Sequence, residues 1–277
     1  DTDAVNKGQM TNAIDESMKY FKANSMGTEA FVAGSDAVAV GSGAVSGGSE
    51  AVALGLNTAA DGDQSLALGV NAGTSSGTIG AIAVGNTAKA SQDGAVAIGQ
   101  KSGANGKRST VVGDSAQAVG DQALALGADA SASGTNGTAL GTSASTAGSS
   151  ATAVGSHASA AGGSAAAIGD SASASGGDSV ALGASSQASG TNDISLGASA
   201  GVGTQSGSTS KIQQNRISIG ANAGQKGSGN ENTAIGLNAG DNVSGNFNVA
   251  MGSSAGGTID GDANTAIGYE ANKNGSG

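Results

Sequence analysis

The chain has 277 residues, of which 51 are Gly and only 2% are aromatic, and it contains no Pro, Cys or Trp. This composition excludes a conventional globule of that length, because a large core needs Phe, Trp, Leu and Ile to fill it. The formal net charge of −10 argues against nucleic acid and against an anionic membrane surface as partners.

The first 25 residues differ from the rest of the chain and end in a helical pattern. Apolar residues recur there at three- and four-residue steps: Met10, Ile14, Met18 and Phe21. Because two turns of apolar stripe do not form a stable helix alone, the helix needs a partner. We interpret it as a short coiled-coil seam between identical chains, with Ile14, Met18 and Phe21 in the interface. The alternative is a capping helix that folds over the end of the following domain.

From residue 26 onward the chain repeats one phrase, Φ-Ala-Φ-Gly, in which Φ is usually a large apolar residue. Leu124-Ala125-Leu126-Gly127 is one copy. The closing glycines stand at positions 41, 55, 69, 85, 99, 113, 127, 141, 155, 169, 183, 197, 220, 236, 252 and 268. Most steps are 14 residues, one is 23 and the last three are 16. Such a fixed period indicates a repeat architecture.

Each unit is predicted to hold two short strands and two tight turns. In the unit from Asp121 to Thr135, Leu124–Leu126 is the first strand and Ala130–Ala132 the second, and Gly127 turns the chain between them. We expect the glycines to adopt positive φ or to leave room for the next coil. Fourteen residues are too few for a strand and a helix, so the fold class is all-β, a parallel β-roll or β-helix. Stacked at about 4.8 Å, its coils would form a rod roughly 75 Å long.

Alternation along a strand assigns its side chains to two faces. We expect Leu124 and Leu126 to pack over Ala130 and Ala132 in the chain's own core. Ala125 would then point outward, and nearly every unit has Ala at this position. A column of Ala allows close approach, so we expect it to meet a copy of itself. This predicted interface comprises Ala39, Ala53, Ala67, Ala97, Ala125, Ala139, Ala153, Ala167 and Ala181.

A step of 23 residues interrupts the repeat between Gly197 and Gly220 and predicts a loop at about 206–216. The loop offers polar and cationic side chains on an acidic rod. If the protein has a discrete ligand-binding site, we expect it here, at Lys211, Gln213, Gln214 and Arg216. The alternative is that the loop is a passive structural collar between chains.

The coils after the loop are longer and rich in Asn. Asn232, Asn248 and Asn264 recur at one phase of the 16-residue period. This spacing predicts a stacked amide ladder, in which each side chain forms a hydrogen bond to the adjacent coil.

The sequence offers no set of residues suited to catalysis or metal binding. Two G-x-S-x-G matches begin at Gly197 and Gly252, but the single His, His157, precedes both, so we interpret them as chance products of the repeat. Asp61-Gly62-Asp63 and Asp260-Gly261-Asp262 lack the spacing of calcium-binding loops. Without Cys, disulfides and thiolate chemistry are excluded. We expect no enzymatic activity, no metal and no cofactor.

Asp178-Ser179-Val180-Ala181-Leu182-Gly183 and Asn264-Thr265-Ala266-Ile267-Gly268 resemble the N-S-V-A-I-G repeat of YadA-like heads in trimeric autotransporter adhesins. The opening stretch Thr2-Asp3-Ala4-Val5-Asn6-Lys7-Gly8-Gln9-Met10 is similar to the D-A-V-N-x-x-Q-L neck or connector of the same family. The resemblance implies a left-handed parallel β-roll in each chain, three chains side by side, and a coiled-coil stalk. It also implies that the alanine strands face the trimer axis.

The resemblance further implies a head in a surface fibre of a Gram-negative bacterium. Its partners would be itself, as a homotrimer, and extracellular-matrix proteins, host or bacterial cells, or abiotic surfaces. The alternative is a structural spacer with no ligand of its own. The sequence has no apolar run of about 18 residues and no signal-peptide pattern, so we expect the outer-membrane translocator to lie outside it.

This interpretation divides the chain into a neck at 1–25 and a head at 26–277. The head would contain 14-residue coils to about 197, the insert at about 206–216, and 16-residue coils over 217–277. Because the neck precedes the head, we expect this head to lie inside a longer fibre.

Overall fold

The computed structural model describes residues 8, 10, 27–202, 214–273, 275 and 276. The predicted neck helix, with Ile14, Met18 and Phe21, lies outside them apart from Gly8 and Met10, which are helical. From residue 27 the described chain consists of short strands wound into a parallel solenoid of about sixteen coils. The predicted all-β solenoid is therefore confirmed, whereas its left-handed sense stays a prediction.

Each coil contributes one three-residue strand to a sixteen-stranded parallel sheet, which we call the long sheet. Its strands are Val38–Val40, Val52–Leu54, Leu66–Leu68, Ile82–Val84, Val96–Ile98, Thr110–Val112, Leu124–Leu126, Thr138–Leu140, Thr152–Val154, Ala166–Ile168, Val180–Leu182, Ile194–Leu196, Ile217–Ile219, Thr233–Ile235, Val249–Met251 and Thr265–Ile267.

The second strands of the coils are shorter and form two further parallel sheets. The twelve-stranded short sheet comprises Phe31–Val32, Val45–Ser46, Ala59–Ala60, Gly73–Thr74, Lys89–Ala90, Gly103–Ala104, Gln117–Ala118, Ser131–Ala132, Ser145–Thr146, Ser159–Ala160, Ser173–Ala174 and Gln187–Ala188. A three-stranded sheet near the C-terminus comprises Val243–Ser244, Ile259–Asp260 and Gly275–Ser276.

Neighbouring coils pair in register, so that equivalent residues form columns along the rod. Ala125, for example, pairs with Ala139 of the next coil. The register also carries across the long interruption, where Ile194 pairs with Ile217. One early coil is longer than the sequence analysis singled out, because Leu66 pairs with Ile82. Its two extra residues lie in the turn that follows Gly73–Thr74.

The core of the solenoid is built almost wholly from Ala. In the unit analysed above, Ala125, Ala130 and Ala132 are at most 1% exposed, whereas Leu124 is half-buried and Leu126 is 38% exposed. The predicted faces are thus right for the second strand and wrong for the first, whose leucines point outward. The reason is the size of the coil. Fourteen residues have a perimeter of at most about 46 Å, which leaves room for small side chains only.

Some coils replace a core Ala with Ser or Thr. Each of these hydroxyls reaches a backbone carbonyl of a turn: Ser109 donates to Gly106 at 2.7 Å, and Ser179 donates to Gly176 at 2.7 Å. Because a buried hydroxyl with a partner costs little, the core accepts these polar replacements.

The closing glycines fill both roles predicted for them. Gly127 has a φ of +135°, and a Cβ atom there would lie 2.4 Å from the carbonyl oxygen of Gly141 in the next coil. The turns also hold non-glycine residues in the left-handed region, such as Gln122, Asp129 and His157. His157 is therefore an ordinary turn residue.

Candidate interface and binding site

The outer face of the long sheet carries two columns of side chains, one from the first and one from the last residue of each strand. We call them the first and second Φ columns, and together they form the apolar face. The second Φ column is apolar in all sixteen strands: Val40, Leu54, Leu68, Val84, Ile98, Val112, Leu126, Leu140, Val154, Ile168, Leu182, Leu196, Ile219, Ile235, Met251 and Ile267. The first column mixes large apolar residues with Thr and one Ala.

The apolar face is too large to be an ordinary exposed surface. Leu126, Leu140 and Ile168 are each 38% exposed in the single chain, and Leu182 is 39% exposed. At about 4.8 Å per strand, the face runs for roughly 70 Å along the rod. Soluble proteins rarely leave a continuous apolar patch of more than a few hundred Å² in water. The apolar face therefore has the properties of a contact surface.

The alanine column cannot supply the interface predicted for it. Eight of its nine named members are fully buried by their own chain: Ala53, Ala67, Ala97, Ala125, Ala139, Ala153, Ala167 and Ala181. Ala39, in the first coil of the long sheet, is half-buried and packs against the alanine core. This prediction was wrong because it assumed that the larger side chains of each strand fill the core.

The predicted ligand-binding loop is only partly described. Lys211 and Gln213 lie outside the described residues, and Gln214 is exposed, with its backbone N–H donating to Asn230 Oδ1 at 3.1 Å. Arg216 is not available to a ligand, since it is 7% exposed. Its guanidinium instead donates to Asp193 Oδ2, from Nε at 3.0 Å and from Nη2 at 2.5 Å.

The predicted amide ladder is confirmed, and it begins earlier than predicted. Asn232 Oδ1 accepts the backbone N–H of Asn248 at 2.9 Å, and Asn248 Oδ1 accepts that of Asn264 at 2.9 Å. In the same way, Asp193 Oδ1 accepts the backbone N–H of Arg216 at 2.9 Å. Each of these residues directly precedes a strand of the long sheet. That shared phase was the sequence signal for Asp193, which sequence analysis missed.

A family model described as YadA head domain repeat (2 copies) matches residues 46–72, 79–102, 104–130, 132–158, 160–186 and 174–200. These segments together cover just over half of the chain. The chain belongs to the YadA head family. No curated protein sequence matches it. The family places the protein among adhesin-type fibres exposed on bacterial surfaces, as a structural adhesin domain.

The family model ends where the architecture of this YadA head changes. Its last matched segment stops at residue 200, whereas the ladder residues Arg216, Asn232, Asn248 and Asn264 all follow. The longer coils are therefore a distinct C-terminal part of the same solenoid.

The described part of the YadA head shows no arrangement suited to chemistry. His157 Nδ1 lies 2.8 Å from Ser156 Oγ, but both residues are in a solvent-facing turn. Asp63 Oδ1 accepts the backbone N–H of Ser49 at 2.9 Å. No group of three His, Cys, Asp or Glu residues within 27–202 and 214–273 is placed to hold a metal ion. Nor does any helix among the described residues have the length and apolarity to cross a bilayer.

Proposed function

We propose that this YadA head works as a homotrimer in a fibre of a Gram-negative bacterium and attaches the cell to extracellular-matrix proteins, to host or bacterial cells, or to abiotic surfaces. The observation that carries the proposal is the apolar face, which runs along the whole long sheet and needs a cover. Other copies of the same chain are a suitable cover, because they present the same period.

Two Φ columns on one face suit a threefold arrangement. Around a threefold axis each chain meets two neighbours through two different patches, which is the heterologous contact that closes a ring. The first Φ column would face one neighbour and the second Φ column the other. The second column, apolar in every strand, would carry the larger share of the burial.

Adhesion would depend on the surfaces that remain exposed in such a trimer, namely the short sheet and the turns. Three chains per fibre and many fibres per cell would convert weak contacts into firm attachment, because linked sites raise the effective concentration of each further contact. Lys211, Gln213 and Gln214 remain candidate contact residues of the insert, and Arg216 is replaced in that role by its ion pair with Asp193.

The alternative proposal is a spacer that displays an adhesive domain elsewhere in the fibre. In both cases we propose that residues 1–25 form the neck, that 26–277 form the head, and that a translocator outside this sequence anchors the fibre in the outer membrane.

Adhesion assays with the full 277-residue chain separate adhesin from spacer. We expect it to bind surfaces coated with matrix protein, cultured cells or plastic more strongly than a protein of equal mass and charge does. A variant with residues 206–213 replaced by a short Gly-Ser linker keeps the Asp193–Arg216 ion pair and tests the insert. Binding no stronger than the reference protein on every surface would favour the spacer.

A further inference from the structure

The solenoid carries its cations in one place. Between residues 27 and 202 the sequence has four Lys and Arg residues, and all of them lie in two adjacent coils: Lys89, Lys101, Lys107 and Arg108. We call this set the basic band. Its position is unexpected on a chain with a net charge of −10, because cations that served solubility alone would be dispersed along the rod.

The basic band crosses the short sheet from one turn to the other. Lys89 lies on the short sheet, with Gly73 and Gly103 as its in-register neighbours, so its side chain stands between two positions that lack one. Lys101 lies in the turn before Gly103 and Lys107 in the turn after it, beside Arg108. Lys101 and Lys107 are therefore separated by at most about 20 Å of chain.

The four cations are exposed and form no ion pair. Among the described residues the ion pairs are Arg216–Asp193 and Lys273–Glu270, and neither involves the band. Acidic residues are close, since Asp93 and Asp121 lie in the same column as Lys107, and Asp114 is in the next coil. However, Asp93 Oδ1 accepts the backbone N–H of Ile79 at 3.0 Å, and Asp121 Oδ1 accepts that of Lys107 at 2.8 Å. These carboxylates weaken the positive field without pairing with its side chains.

The surroundings of the band select among polyanions. The aromatic residues within the described segments, Phe31, Phe247 and Tyr269, lie in other coils, so the band has no platform on which nucleic-acid bases could stack. A stiff duplex or a flat anionic membrane would also press against acidic coils on either side. A flexible linear polyanion can follow the band alone.

We propose that the basic band binds a sulfated polysaccharide of the host surface or matrix. This inference rests on the proposed adhesive function and names one ligand class for it. The band lies on the short sheet and its turns, away from the apolar face, so three copies would remain accessible around a trimer. Clusters of Lys and Arg on a surface are a known means of holding such sulfated chains.

The test is the salt dependence of binding to immobilised heparin by the full-length chain. Four charge contacts should weaken binding roughly 50-fold between 50 and 200 mM salt, if the slope known for flexible single strands applies. The double variant Lys107→Gln/Arg108→Gln should bind more weakly and reduce that salt effect to roughly 7-fold. Lys226→Gln/Lys273→Gln removes the same charge from exposed positions elsewhere and should leave both quantities unchanged.

Three results would overturn the proposal: no binding to heparin, equal weakening by the control variant, or tighter binding to single-stranded DNA or anionic vesicles than to heparin. The adhesion assay keeps this failure distinct from failure of the proposed function. If the protein adheres to coated surfaces but ignores heparin, the ligand class is wrong and the adhesin remains. If it adheres to nothing, the adhesive function itself fails.

Discussion

The closing glycines show how strictly a single position can be determined in this fold. At Gly127 both requirements for glycine coincide, since φ is +135° and a Cβ atom would meet the Gly141 carbonyl oxygen at 2.4 Å. At Gly163 neither applies, because φ is not in the left-handed region and an added Cβ atom would contact nothing within 4 Å. The two positions therefore form a matched pair.

We predict that Gly127→Ala destabilises the solenoid by at least about 2 kcal/mol, from backbone strain together with a clash that the rigid neighbouring coil cannot relieve. Gly163→Ala should change the free energy of unfolding by less than about 0.5 kcal/mol. Thermal unfolding followed by circular dichroism compares the two variants with the wild type. Equal melting temperatures for both variants would show that the closing glycine is not required.

Residue roles were predictable from sequence where the requirement is local. The turn function of Gly127 followed from its fixed place in the repeat. The direction of Ala125 did not, because alternation separates two faces without saying which one lies inside. That choice depends on the cross-section of the coil, which admits Ala125 and excludes Leu124 and Leu126.

At the scale of structural elements, the ladder joins the two halves of the solenoid across the insert. Asp193 and Arg216 belong to consecutive coils, and their side chains are 1% and 8% exposed. Asp193 Oδ2 also accepts the backbone N–H of Gly190 at 2.8 Å. An ion pair of this kind is costly to break on one side only, because the remaining charge stays buried without a partner.

Replacement of Asp193 by Asn should therefore cost about 3–5 kcal/mol, since Arg216 loses its counter-charge. The double variant Asp193→Asn/Arg216→Asn should recover most of that loss, because it extends the ladder of Asn232, Asn248 and Asn264 by two amide rungs. Chemical denaturation of both variants measures the difference. If the double variant is as unstable as the single one, the ladder does not account for the stability of this junction.

The sequence period predicted the elements well, because a coil of fixed length places its strands and turns at fixed phases. Arg216 was misplaced because the 23-residue step conceals its phase. Counted backward from the strand Ile217–Ile219, it takes the same position as Asn232 before Thr233–Ile235. The early 16-residue coil before Ile82 was missed for a similar reason, since its closing phrase is regular and only its turn is longer.

On the scale of the whole molecule, the rod has two unlike sides. One side is the apolar face, and the other presents small polar residues such as Ser131, Ser145 and Ser173, which are half-buried on the short sheet. Sequence reasoning predicted contact between identical chains and selected the correct strands for it. It selected the wrong side chains, because burial inside a chain and burial between chains leave the same alternating pattern.

The most direct test of this account is the mass of the protein in solution. Sedimentation equilibrium should give three times the chain mass of 25.5 kDa for the wild type. The triple variant Leu126→Glu/Leu140→Glu/Ile168→Glu should dissociate, because it places charges on the apolar face. The matched triple variant Ser131→Glu/Ser145→Glu/Ser173→Glu alters the opposite sheet and should remain trimeric. A stable wild-type monomer, or a trimer that survives the first set of charges, would contradict the assignment of the apolar face as the interface between chains.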